Sequence, residues 1–140
     1  MSIYDKFKVT SSEREGVWIE YPTLVVDGKT PGFKCRSTNH RANKDLKKAM
    51  ETSIRKHGKA IARDEMSAED ADKVDVDNFV DTVLVDWRNV FTEDGQEELP
   101  FNRENAVELL SKAPKLQDDL LGRIDDDGRF DDLSEARAGN

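Results

Sequence analysis

Cysteine is almost missing from this chain. Cys35 is its one thiol, so no intrachain disulfide can form, and a lone cysteine suits a reducing compartment. Long apolar runs are missing too. No wholly apolar stretch exceeds three residues, as at Leu24–Val26 and Val83–Val85, and nothing approaches the roughly 20 residues of a membrane span. The first nine residues carry Asp5, Lys6 and Lys8 among their apolar side chains. They have neither the hydrophobic stretch nor the small-residue cleavage site of a signal peptide. Histidine occurs twice, as His40 and His57. With Cys35 these are the only soft or borderline metal ligands, and no Cys pair or His-x3-His spacing supports a zinc site.

Catalytic signatures are also absent. There is no Gly-rich loop ending in Lys-Ser or Lys-Thr to cradle a phosphate, and no Gly-x-Gly-x-x-Gly. No Gly-x-Ser-x-Gly nucleophile turn occurs. The Asp-rich stretches fail the EF-hand spacing, since counting back from Gly128 puts Arg123 at the first ligand position, and from Gly95 puts Val90 there. With 30 acidic residues many carboxylate pairs exist, but nothing marks two of them as a catalytic pair. The expectation is a non-enzymatic protein without cofactor or metal.

What the chain does have is charge, unevenly placed. Hydrophobic residues make up 36% and charged residues 37%, and the mean hydropathy is -0.79. With 140 residues, one domain plus a small appendage is expected. Residues 29–63 hold eleven basic and two acidic side chains, whereas residues 64–140 hold eight basic and 23 acidic. The two parts can pack against each other or solvate different faces; alternatively, the basic segment meets an acidic partner. Nucleic acid is disfavoured. The net charge is -8, the acidic half repels a polyanion, and no aromatics interleave the basic run as single-strand binders require.

The local patterns predict an α+β, mainly α, fold. β-branched and aromatic residues from Val17 to Val26, and alternation from Phe33 to Thr38, predict a small N-terminal antiparallel sheet of two or three strands. Asp27-Gly28 and Pro31-Gly32 form its turns, and Pro22 belongs at an edge or strand start. So small a sheet needs helices against it, and about four are expected. Asn39 or Asn43 can cap the first, whose apolar stripe is Leu46, Met50, Ile54, His57 and Ile61. Its other faces carry Lys44, Lys47, Lys48, Arg55, Lys56 and Lys59, the candidate partner-binding cations. Asp64–Asp75 reads as a linker or a loose turn of helix. A second helix is expected from about Asp75 to Trp87, with an acidic first turn. Asn102 caps a third helix over Arg103–Lys112, with Val107, Leu109 and Leu110 inward. Pro114 opens a fourth, with Leu116, Leu120, Leu121 and Ile124 on its apolar side. Three segments follow: 1–63, strands plus basic helix; 64–124, helical; and 125–140, an acidic tail expected to be mobile.

The stretch Val83–Leu110 contains Trp87, the turn Asp94-Gly95, Leu99-Pro100-Phe101, the cap Asn102 and Leu109-Leu110, and the Pro114-started helix follows it. This order resembles the tail assembly chaperones of long-tailed bacteriophages. In that family an apolar helix ends at Trp, a short Asp-Gly loop follows, and a Leu-Pro-Phe-like segment leads to a capped helix. The resemblance is close over about 30 residues and extends by layout over residues 30–130. Trp87 and Phe101 are its aromatic landmarks and join the candidate partner-binding set; they can equally be a hydrophobic staple across a loop. The resemblance implies a protein that keeps the tape measure protein soluble, helps recruit tail tube protein, works in the host cytoplasm and is absent from the mature virion. It also implies a longer form made by a programmed frameshift, and Gly139-Asn140 admits a slippery GGA-AAC. Against the same residues stand a structural tail or connector protein of the virion and a nucleic-acid-binding regulator. The three helical stripes exceed what a small sheet can cover, which leaves one for a partner or for self-association.

Overall fold

The computed structural model describes residues 2–125 and Phe130. The acidic tail expected over 125–140 otherwise lies outside the described residues, and so do Gly139 and Asn140. Among the described residues the order is α1 (Ile3–Phe7), α2 (Ser11–Glu15), β1 (Val17–Glu20), β2 (Gly32–Cys35), α3 (Lys44–Ala62), α4 (Ala68–Thr82), β3 (Leu84–Arg88), α5 (Arg103–Lys112) and α6 (Pro114–Ile124). The α+β, mainly α, expectation holds, with two short helices added before the sheet.

The sheet is antiparallel, in the order β1-β2-β3. Ile19 faces Phe33 across one ladder, and Phe33 faces Trp87 across the other. These side chains, with Cys35 and Leu84, line the core face. The opposite face is polar and cationic–aromatic: the Arg88 guanidinium lies 4.3 Å from the Trp18 ring centroid and pairs with Glu20. Leu24–Val26 does not extend the sheet. A single bridge joins Val26 to Lys29 around Asp27 and Gly28, which have φ of 51° and 73°. Two successive left-handed residues make the tight hairpin turn for which an Asp-Gly pair is suited.

The third strand comes from an unexpected place. The sequence predicts one helix from Asp75 to Trp87, but α4 closes at Thr82, where the Val83 N–H still bonds to the Phe79 carbonyl. Residues 84–88 then pair with β2. Val83, Leu84 and Trp87 sit at a spacing that a helix stripe and this bulged strand both satisfy. Pairing along the second edge of β2 decides between them, and a shift in register at Lys34/Cys35 keeps Leu84 and Trp87 both inward. Of the two readings of Asp64–Asp75, helix is the one observed from Ala68 on, as the start of α4: Ser67 caps it by accepting from the Asp70 N–H.

Val76, Phe79 and Val80 of α4, Ala106 and Leu110 of α5, and Leu120 and Ile124 of α6 pack over the sheet. From α3 only Leu46 is buried, so α3 lies beside α4 at the edge of the core. Asn43, not Asn39, caps it, and it continues through Gly58 to Ala62. A Cβ added at Gly58 would meet only the Ile54 side chain.

Two core groups give the fold a pH dependence. Burial pushes the Cys35 thiol up to about 12. Burial, then the hydrogen bond from Tyr21 Oη to Asp119 Oδ2 (2.5 Å), raises the Tyr21 phenol well above its ordinary range. Both protons are therefore held more tightly in the folded chain than in the unfolded one. Their contribution to stability is complete below the unfolded values, 9.0 for the thiol and 10.0 for the phenol. It is lost as the pH rises through the folded values. Urea midpoints should be level up to about pH 8.5 and fall above it, with each group adding at most ~1.4 kcal/mol per pH unit. Tyr21→Phe should make the fall shallower above about pH 10, where the unfolded phenol ionises. An equally steep fall in that variant would exclude the Tyr21 contribution.

Candidate partner-binding site

The amphipathic design of α3 exceeds what the fold buries. Beyond Leu46 its stripe continues through Met50, Ile54 and Ile61, which are 43%, 65% and 59% exposed. Facing them across a groove of about 370 Å³ stand Met66, Ala71 and Val74, with Ser53 and His57 between. Asn78 Nδ2 donates to Ser53 Oγ at 3.2 Å and ties the two helices together. The charged carboxylates on the lining are Asp64, in the turn after α3, and Asp75 on α4. Six carboxylates and one lysine make α4 strongly acidic. The groove is thus apolar along its length and negative on the α4 side. Its geometry suits the apolar face of an amphipathic helix.

The cations singled out in the sequence lie elsewhere on α3. Lys44, Lys47, Lys48, Arg55, Lys56 and Lys59 are all exposed. Arg55 donates to Thr52 Oγ1 at 3.2 Å, and among the described residues none of the six forms an ion pair. Lys44, Lys47 and Lys48 gather with His40, Arg41 and the carboxylates Asp45 and Glu51 around a depression at the start of the helix, with a net positive charge. This is a solvated positive surface that can steer an acidic partner more than hold one.

Trp87 and Phe101 do not join that surface. Trp87 is 5% exposed, and its Nε1 donates to the Leu99 carbonyl at 2.8 Å. Its ring meets Phe101 edge-on at 5.2 Å and Phe33 at 6.2 Å. Phe101 is half-buried against the core. The two aromatics clamp the 89–101 loop onto the sheet, the packing role the sequence allowed as an alternative.

The α4 wall escaped sequence reasoning, because the acidic run 64–75 hid Met66, Ala71 and Val74. The available signal was Ser67 followed three residues later by Asp70, a helix-start pattern. The possible zinc ligands are dispersed: Cys35 is buried in the sheet, His40 is exposed and His57 is in the groove. Among the described residues no group of three or more His, Cys, Asp or Glu is placed to hold a metal ion, and no helix is long and apolar enough to cross a membrane.

A family model described as YdaY prophage protein matches residues 41–126. That span is more than half of the chain. It takes in α3, α4 and the groove between them, and runs through β3 and α5 to the end of α6. No curated protein and no solved structure matches.

Proposed function

The chain belongs to the YdaY prophage protein family, and for this phage-derived protein we propose a role as a tail assembly chaperone that binds the tape measure protein and helps recruit tail tube subunits. It acts by binding, not by catalysis, in the infected cell, and leaves before the particle is complete. The observation that carries this reading is the uncovered apolar groove between α3 and α4. A tape measure protein is long and helical, with apolar stripes that aggregate when bare. A groove of two antiparallel helix faces takes such a stripe by burying it at i, i+3 and i+4 positions. The Val83–Leu110 resemblance supplies the tail-assembly context. The basic face of α3 adds steering toward acidic segments of the partner.

The test is coexpression with the tape measure protein of the same prophage. Wild-type chain should keep that protein in the soluble fraction and copurify with it. Ile54→Asp should abolish capture while changing the stability of the free chain by no more than ~0.5 kcal/mol, since the site is exposed. Lys47, Lys48 and Lys56 reversed to Glu should slow association and flatten its salt dependence. Binding left intact by that reversal would remove the basic face from the reading. A tape measure protein that stays insoluble beside wild-type chain, or stoichiometric chain in purified particles, would overturn the proposal in favour of a structural tail component.

A further inference from the structure

Helix α1 has well-specified ends and, among the described residues, buries no apolar side chain. Ser2 caps it, accepting from the Asp5 N–H while the Asp5 carboxylate reaches back to the Ser2 N–H, and the Lys8 N–H bonds to the Tyr4 carbonyl. Yet it is five residues long and buries none of them. An isolated helix in water is marginal even at about 12–15 residues. In proteins most of a helix's stability comes from packing of its apolar face. The face exists: Ile3, Tyr4 and Phe7 are 77%, 84% and 76% exposed, and their i, i+1, i+4 spacing gathers them on one side. Lys6 follows at the border of that stripe, while Asp5 lies on the opposite side, engaged by Ser2.

The root of this arm is fixed. Thr10 caps α2, and its Oγ1 donates to the Phe130 carbonyl at 2.7 Å. Glu13 accepts from the Ser37 N–H at 3.0 Å. The arm is therefore a short apolar helix with a positive border, presented from a rooted base.

The α3/α4 groove is its complement in shape and charge. It offers Met50, Ile54 and Ile61 uncovered, and its carboxylates are Asp64 and Asp75. From Met50 to Ile61, α3 runs about 16 Å, and a helix of five residues needs about 7.5 Å. In a single chain both surfaces are uncovered at once, so the arm does not fill its own groove. We propose that α1 of one copy docks in the α3/α4 groove of a second copy, and reciprocally, to give an arm-exchanged two-fold dimer. A two-fold axis closes such an exchange, with each copy giving one arm and receiving one. The inference requires only the arm and the groove and does not depend on the tail-assembly reading.

Light scattering and sedimentation of the full chain, alone and over a concentration series, test it. Wild-type chain should be dimeric. Phe7→Asp and Ile54→Asp should each raise the dimer dissociation constant by about 30-fold or more, with circular dichroism unchanged because both sites are exposed. Mixing the two variants should restore a dimer, weaker than wild type, because the mixed pair keeps one intact arm and one intact groove. Lys6→Glu should weaken the wild-type dimer and reduce its salt sensitivity. A wild-type chain that is monomeric throughout would overturn the inference. So would a dimer that survives either substitution, or a mixture that stays monomeric. The two proposals fail separately: Phe7→Asp leaves the groove intact and should still capture a tape measure helix, whereas Ile54→Asp should lose both activities.

Discussion

Trp87→Ala should destabilise the chain by about 3–5 kcal/mol, the range for removing a large buried aromatic. With a domain stability of order 5–15 kcal/mol, that change brings the protein close to unfolding at ambient temperature. The side chain is 5% exposed and sits in an edge-on series in which Tyr21 meets Phe33 at 5.8 Å, Phe33 meets Trp87 and Trp87 meets Phe101. Removing its ring leaves a cavity at the point where β2, β3 and the 89–101 loop converge. It also takes the Nε1–H from the Leu99 carbonyl, which adds a polar group without its partner. Trp87→Phe keeps most of the ring and loses the donor, so a smaller loss of about 1–2 kcal/mol is expected. Urea unfolding followed by far-ultraviolet circular dichroism measures both. The comparison also decides what Trp87 is for. If it is a packing residue, the variants lose stability and their remaining folded fraction binds partners normally. Lost binding at unchanged stability would return it to the partner-binding set.

The sequence and the structure agree most closely where local signals are strong. The Asn102 cap, Pro114 at a helix start and the leucine spacing predict α5 and α6 to within a residue. Leu46–Ile61 predicts α3, and the alternation from Phe33 to Thr38 predicts β2, which starts one residue earlier, at Gly32, and ends at Cys35. Disagreement is concentrated where two periodicities coincide or where charge conceals pattern. Val83, Leu84 and Trp87 read equally well as a helix stripe and as a bulged strand, and only the vacant edge of β2, fixed 50 residues earlier in the chain, resolves them. The run Asp64–Asp75 is so acidic that its apolar positions carry little weight. They become legible as a groove wall only when α3 is laid beside them. Half of the candidate site was thus visible as an unusually long amphipathic stripe, and the other half depended on tertiary placement. The six cations of α3 are exposed, and the apolar row beside them, Met50, Ile54 and Ile61, forms the groove.

Asn43→Ala should cost about 2–4 kcal/mol, more than a cap alone can explain. Asn43 is fully buried. Its Oδ1 accepts from the Leu46 N–H at 3.0 Å, which closes the first turn of α3. Its Nδ2 donates to the Ser37 carbonyl at 3.0 Å and to the Thr82 carbonyl at 2.8 Å. Alanine therefore removes a cap, worth about 0.5–2 kcal/mol, and strips two carbonyls of a donor inside the fold. Asn43→Asp separates these roles. At an ordinary cap Asp serves as well as Asn, but here a carboxylate retains the acceptor while facing two carbonyl oxygens without a proton to offer. Asp should therefore be no better than Ala near neutral pH. It should recover part of the loss on acidification, when a protonated carboxyl can donate to one of the two carbonyls. The consequence extends to the groove. Thr82 ends α4 and Asn43 begins α3, so this one amide joins the two helices whose far ends must stay parallel for Met50, Ile54 and Ile61 to face Met66 and Val74. A folded Asn43→Ala chain should then show weakened self-association and weakened helix capture without any change to a groove side chain. Equal destabilisation with both binding activities intact would mean that the Ser53–Asn78 contact and side-chain packing hold the groove without the Asn43 joint.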